Sequence, residues 1–319
     1  MNPAVPIALA LVLDGLVAEL PRRLHPVAWF GSLVAPFDRE WSRPRLAGLG
    51  VAVALPLLAA ALVALGVEIA ARASPVAGAL AAGLVVFATT SLRMLTGKTA
   101  EVVAATETDL PTARERLRWL AGRDAANLSA GEVRSAAVES AAENLADGVV
   151  AALLAFALFA PVSLAAGTGA AAWVKAVNTL DSMLGYPEKS HGTASARLDD
   201  FVMWIPARAS AGLLALAAAL PTARAAASGP TSLAAARRWA DAAPSPNSGW
   251  PMATLAAVLD ARLEKPGVYV LNPEAALPSV ETSRAGIRVV GLAGVLAFVF
   301  AGAFSGGASA LAPEVVSWF

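Results

Sequence analysis

ESAAENLADGVVAALLAFALFA, residues 139–160, runs from an acidic stretch into an oily one. Read as a helix, it sets Glu139, Glu143 and Asp147 at i, i+4 and i+8, one above another on a single face. From Gly148 the chain carries no charge until Lys175. A bilayer core is crossed by about 20 residues of apolar helix, so residues 148–173 are long enough to span one. The acids are harder to explain. Each like-charged i,i+4 pair costs about 0.2–0.5 kcal/mol in an exposed helix, and a stacked acidic face gains nothing as an anchor. A divalent cation reverses the sign of that cost. Mg²⁺ takes a few carboxylate or amide oxygens and keeps water or phosphate in its other positions.

The rest of the chain agrees with a membrane setting. Of 319 residues, 57% are hydrophobic and 15% charged, with mean hydropathy +0.62, where a soluble domain is about 25% charged. Residues 4–20, 46–71, 75–92 and 286–310 are further candidate spans, and 206–220 is a shorter one. The first lacks a basic leader and carries Asp14 and Glu19, so it reads as a retained segment and not a signal peptide. The expected fold is all-α: one polytopic integral membrane domain over 1–319, with broken or re-entrant segments and cytoplasmic amphipathic helices. Arg and Lys crowd residues 21–45 and 93–147, while the turn near residue 72 holds only Arg72. The positive-inside rule puts the two rich loops in the cytoplasm. Zero net charge argues against nucleic acid as a partner. The absence of cysteine excludes disulfides and thiolate metal sites, and two histidines are too few for a His-rich centre.

Polar residues recur in three further motifs. KAVNTLDSMLGY (175–186) sets Lys175, Asn178 and Asp181 or Ser182 on one helical face. SARLDDFVMWIPAR (195–208) contains Arg197, Asp199, Asp200 and Arg208. PSPNSGWP (244–251) precedes an apolar helical run, which Asn247 or Ser248 can cap, with Pro251 in its first turn. Such a helix start also suits a phosphate, with Ser245, Asn247, Ser248 and Gly249 around it. The plain alternatives are snorkelling ends of spans for the charges and a rigid capped turn for the loop. TGKT (96–99) is set aside as a phosphate loop, because position 92, where that motif needs glycine, is Leu.

In this order and spacing the segments resemble the adenosylcobinamide-phosphate synthase family of cobalamin biosynthesis, CobD/CbiB. LHPVAWFG (24–31), GRDAANL (122–128), EVRSAAVESAAENLADGVVA (132–151) and the three motifs above carry the resemblance over nearly the whole chain. Where that family has a Gly-Asp-Pro before its His-Pro loop, this chain has AELP (18–21), with Glu19 the nearest acid.

The resemblance implies an ATP-dependent ligase that joins aminopropanol, or its phosphate, to a carboxyl of adenosylcobyric acid as an amide. It implies Mg²⁺ and ATP, a cell-membrane location with the site facing the cytoplasm, and partners among late pathway membrane enzymes. On that reading Glu139, Glu143, Asp147, Asp199 and Asp200 are metal ligands. Lys175, Arg197 and Arg208 serve phosphates or the substrate carboxylate, and Asn178 and Asp181 complete the site. His25 or an acid is the base that deprotonates the amine. If 148–173 and 206–220 each crossed once, the motifs would fall on opposite sides, so one or both are expected to be broken, Pro161 marking one break. An ion-coupled transporter and an AmpE-like regulatory membrane protein are the rival readings.

Overall fold

The computed structural model describes residues 2–223 and 230–316. Its helices are α1 (Ala4–Val17), α2 (Pro26–Val34), α3 (Pro44–Ala73), α4 (Pro75–Thr89), α5 (Leu92–Thr108), α6 (Leu110–Leu117) and α7 (Ala130–Leu145). A π turn, Ala146–Val150, leads from α7 into α8 (Ala151–Phe159). Then follow α9 (Leu164–Leu184), α10 (Thr193–Val202), α11 (Trp204–Ala218), α12 (Pro230–Ala236) and α13 (Gly249–Leu259). A hairpin of β1 (Leu263–Lys265) and β2 (Tyr269–Leu271) precedes α14 (Val280–Val316).

Local chemistry explains the punctuation. Ser74 caps α4 by accepting from Ala77 N at 3.0 Å, with Pro75 at the first helical position. Ser129 and Glu132 form a capping box at the start of α7. α8 ends before Pro161, and Ser163 caps α9 by accepting from Ala166 N at 3.0 Å. In the hairpin Leu263, Glu264 and Lys265 face Leu271, Val270 and Tyr269, and Gly267 supplies the positive φ of 75° that its tight turn requires.

Among the described residues, four helices are long and apolar enough to cross a membrane: residues 44–73, 75–108, 130–159 and 280–311. The pair broken at Met203 makes five if counted as one span. On the first of them Leu57, Leu62, Leu65 and Ile69 are each more than half exposed. So continuous an apolar face suits lipid and not water.

The expected spans shift in three places. Residues 148–173 are not one segment; the helix long and apolar enough to cross is 130–159, so Glu139, Glu143 and Asp147 lie within it and not ahead of it. α1 has 14 residues, short of the roughly 20 that span a bilayer. Residues 93–147, read as a loop, fold mostly as α5, α6 and α7.

The chain also divides into two compact units. One takes Met1–Ser91, Asp147–Met203 and Ala297–Phe319; the other takes Leu92–Ala146 and Trp204–Leu296. In the first, α3 packs along α9 around Val34, Val51, Leu55, Leu180 and Leu184. Gly48 lets α3 meet the His191 carbonyl, where a Cβ would collide. In the second, Val102, Val103, Leu117, Leu128 and Val133 close a core between α5, α6 and α7.

Candidate functional site

In the second unit, four segments far apart in sequence line a polar cavity of about 360 Å³. Arg123 comes from the loop after α6. Ser140, Glu143 and Asn144 come from α7. Ser245 and Ser248 come from the turn before α13, and Lys265 and Tyr269 from the hairpin. Beside it lies Glu139, which is fully buried. Glu139 forms an ion pair with Arg123, and its Oε1 accepts from the Tyr269 hydroxyl at 2.7 Å. The Glu264 N–H donates to Ser135 Oγ at 2.8 Å, which pins the hairpin to α7. Burial opposes the charge on Arg123, but Glu139 outweighs it and holds the guanidinium above its ordinary value. Burial, and then the Glu139 charge, push Tyr269 far up, so its hydroxyl remains a donor.

The loop 244–251 is built from inside. Ser245 Oγ accepts from Asn247 N at 3.2 Å and from Ser248 N at 3.4 Å. Ser248 takes the N-cap position of α13 without a side-chain capping bond, so the expected cap is replaced by the Ser245 turn. The Trp250 N–H donates to Asn247 O at 3.1 Å, and Pro251, in the first turn as expected, has none to give. Few backbone donors are therefore left for an anion at this helix start. Gly249 is required by its approach to the Ala240 carbonyl, which a Cβ would strike. Asn247 Oδ1 accepts from Arg208 at 3.1 Å, and the Arg208 guanidinium lies 4.3 Å from the Trp204 ring and 5.1 Å from the Trp250 ring.

In the first unit a second cluster forms around α9. Asp147 lies in the π turn, a rare element that often marks functional sites. The turn is held by Ser91 N donating to Gly148 O at 3.1 Å. Lys175 interacts with Asp147, and the Asn178 amide reaches both Asp147 and Asp199. Asp181 and Asp200 complete the group. One oxygen each of Asp181 and Asp199 is buried with no hydrogen-bond partner. Lys175 also lines an apolar cavity of about 460 Å³ with Pro26, Val27, Trp29 and Phe30 of the His-Pro segment. Arg197 is exposed on α10, outside both groupings. His25 caps α2, Nδ1 accepting from Val27 N at 3.2 Å, with Nε2 3.4 Å from Glu19. Both ring nitrogens are thus engaged.

The expected site residues therefore fall into two groupings. Glu143, Ser245 and Ser248 line the polar cavity, with Glu139 beside it, while Lys175, Asn178, Asp181, Asp147, Asp199 and Asp200 meet around α9. Asn247, Arg208 and Gly249 shape the wall of the loop. Sequence reasoning missed Arg123, Lys265 and Tyr269 as site residues. Arg123 sat in the quoted GRDAANL segment, and LEKPGVYV carries a Pro-Gly turn signal for the hairpin. Among the described residues, no three His, Asp or Glu side chains converge to hold a metal ion by themselves. TGKT lies inside α5, with Lys98 paired to Glu101 at 3.0 Å, so no phosphate loop exists there.

Comparison with known proteins adds an independent line. The family model described as CobD/Cbib protein matches residues 7–296. A relative from Methanothrix thermoacetophila, named probable cobalamin biosynthesis protein CobD, is 35% identical over 91% of this chain and 92% of its own. The cobalamin biosynthesis protein CobD of Rhodobacter capsulatus is 38% identical over 84% of each chain. That of Geobacter metallireducens is 38% identical over 86% of each. No solved structure matches. With most of its length matched by the family model, and with relatives of that name aligned over most of both chains, this chain belongs to the CobD/CbiB family.

Proposed function

We propose that this protein is an enzyme of cobalamin biosynthesis, an ATP-dependent amide ligase that joins aminopropanol or its phosphate to adenosylcobyric acid. The observation that carries this reading is the polar cavity, where two cations, Arg123 and Lys265, stand with Glu143 and two serines from distant segments. Cations with hydroxyl donors suit phosphoryl oxygens, and a carboxylate beside them suits the Mg²⁺ that accompanies a nucleotide. A carboxylate does not react with an amine in water until its carbonyl is activated, most simply as an acyl phosphate. Arg123 and Lys265 would hold the transferring phosphate and offset the charge that develops on it.

The cluster around α9 is a second polar grouping with chemistry of its own to offer. Its carboxylates outnumber its one cation, and the free oxygens of Asp181 and Asp199 can receive an ammonium group or a proton from it. Asn178 would keep Asp147 and Asp199 apart and oriented. Glu143 in the polar cavity fits Mg²⁺, which needs only one or two protein carboxylates when phosphates fill its other positions. When bound there, Mg²⁺ would supply charge neutralisation for the nucleotide. ATP is cytoplasmic, so the protein would sit in the cell membrane with the cavity open to the cytoplasm.

The test is incubation of purified protein with adenosylcobyric acid, aminopropanol or its phosphate, ATP and Mg²⁺, read by mass spectrometry. The expected result is an amide product that requires ATP. Corrinoid left unchanged by protein that binds ATP and Mg²⁺ would remove the ligase reading.

A further inference from the structure

Glu139 is the most deeply buried carboxylate of the acidic stretch; protein groups hold its Oε1, while its Oε2 has no hydrogen-bond partner. Its side chain is 0% exposed, and that of its ion-pair partner Arg123 is 10% exposed. The same Oε1 accepts from the Tyr269 hydroxyl, across 130 residues of chain. Arg123 also donates to the Glu264 carbonyl at 3.4 Å, on the strand that carries Lys265. The loop at 121–123, α7 and the hairpin are thus tied to one carboxylate. Among the described residues no group of three acids gathers around Glu139 to hold a cation.

We propose that Glu139 is a positioning residue: it fixes Arg123, and through Tyr269 the hairpin bearing Lys265, at the separation that one phosphate-bearing ligand requires. This rests on the reading of the cavity as the phosphate site. The physical reason is the cost of a buried charge. Arg123 left without a carboxylate would turn outward to solvent, and a carboxylate left without Arg123 would be uncompensated in the interior. The pair therefore stays together, and its geometry becomes the geometry of the cavity wall. A guanidinium held from behind keeps its other N–H groups for an anion in front.

The test compares Glu139→Gln, Glu139→Asp, Arg123→Met and the double variant Glu139→Gln/Arg123→Met. The double variant removes both buried charges and so guards against simple misfolding. Glu139→Gln should raise KM for ATP about tenfold, the scale of one charge-assisted contact, with the Mg²⁺ concentration for half-maximal turnover unchanged. In the Arg123→Met background the same change should add less than about twofold, because both act through one contact. Glu139→Asp should recover part of the loss. Hydrogen exchange at 263–271 should quicken in Glu139→Gln. A shifted Mg²⁺ requirement with additive losses would make Glu139 a metal ligand and overturn the inference. If the wild type ligates nothing, the ligase reading has failed by itself. The exchange arm still decides whether Glu139 holds the hairpin, and unchanged exchange there would overturn the inference too.

Discussion

Asp38 illustrates a polar contact outside both groupings. It accepts from Lys189 Nζ at 2.8 Å and lies 3.4 Å from His191 Nε2. The hydrogen bond from Lys189 holds its carboxyl below the ordinary value. A depressed folded pKa adds stability above the unfolded value, and that stability is lost as pH falls through the folded one. Lys189→Met should therefore lower the melting temperature slightly at neutral pH, by the roughly 0.2–1 kcal/mol of an exposed pair. The difference from wild type should vanish below the carboxylate range, as read by melting in detergent. Ser245 makes a different case, since its hydroxyl faces both a turn and the cavity. Ser245→Ala should lower stability by about 1 kcal/mol through its two lost backbone bonds. If the hydroxyl also meets a phosphate, KM for ATP rises in the same variant; melting and steady-state kinetics separate the two effects.

At the scale of elements, the start of α13 depends on a glycine that a ligand does not explain. Gly249 is buried against the Ala240 carbonyl. Gly249→Ala must move that backbone and should cost about 1–3 kcal/mol, the usual range for overpacking. Its Michaelis constants should stay near those of wild type wherever the protein is folded. A large rise in KM with normal melting would return Gly249 to the ligand site. The π turn at 146–150 matters in the same way. An extra residue in the turn changes which face Asp147 presents, so the i, i+4, i+8 reading does not carry past Ala146. Glu139 and Glu143 stand with Arg123, Lys265 and Tyr269, whereas Asp147 stands with Lys175 and Asn178.

At the scale of the whole molecule, the proposed cytoplasmic placement is testable by access from either side. The chain has no cysteine, so single cysteines report access cleanly. Asp124 and Glu188 are both exposed in loops, near Arg123 and Lys189 respectively. Asp124→Cys and Glu188→Cys should each react with an impermeant thiol reagent in inverted vesicles and resist it in intact cells. Labelling of either from outside in active protein would sink the cytoplasmic placement of that segment.

The sequence by itself determined the membrane class and the family. Both depend on patterns that survive without coordinates: long apolar runs, arginine-rich flanks and six motifs in order. It also indicated the break at Pro161, because a helix interior does not readily hold a proline. Tertiary structure decided where the helices begin and which polar residues meet. Apolar content cannot show that α7 and α8 run together through a π turn, because the first half of that helix is buried by other helices and tolerates charge. Nor can spacing along one helix show that Glu139 is paired with Arg123, a residue in a preceding loop, and accepts a hydrogen bond from Tyr269 on a distant strand. Those partners are set by packing between segments, and a buried charge takes whichever partner the packing brings to it.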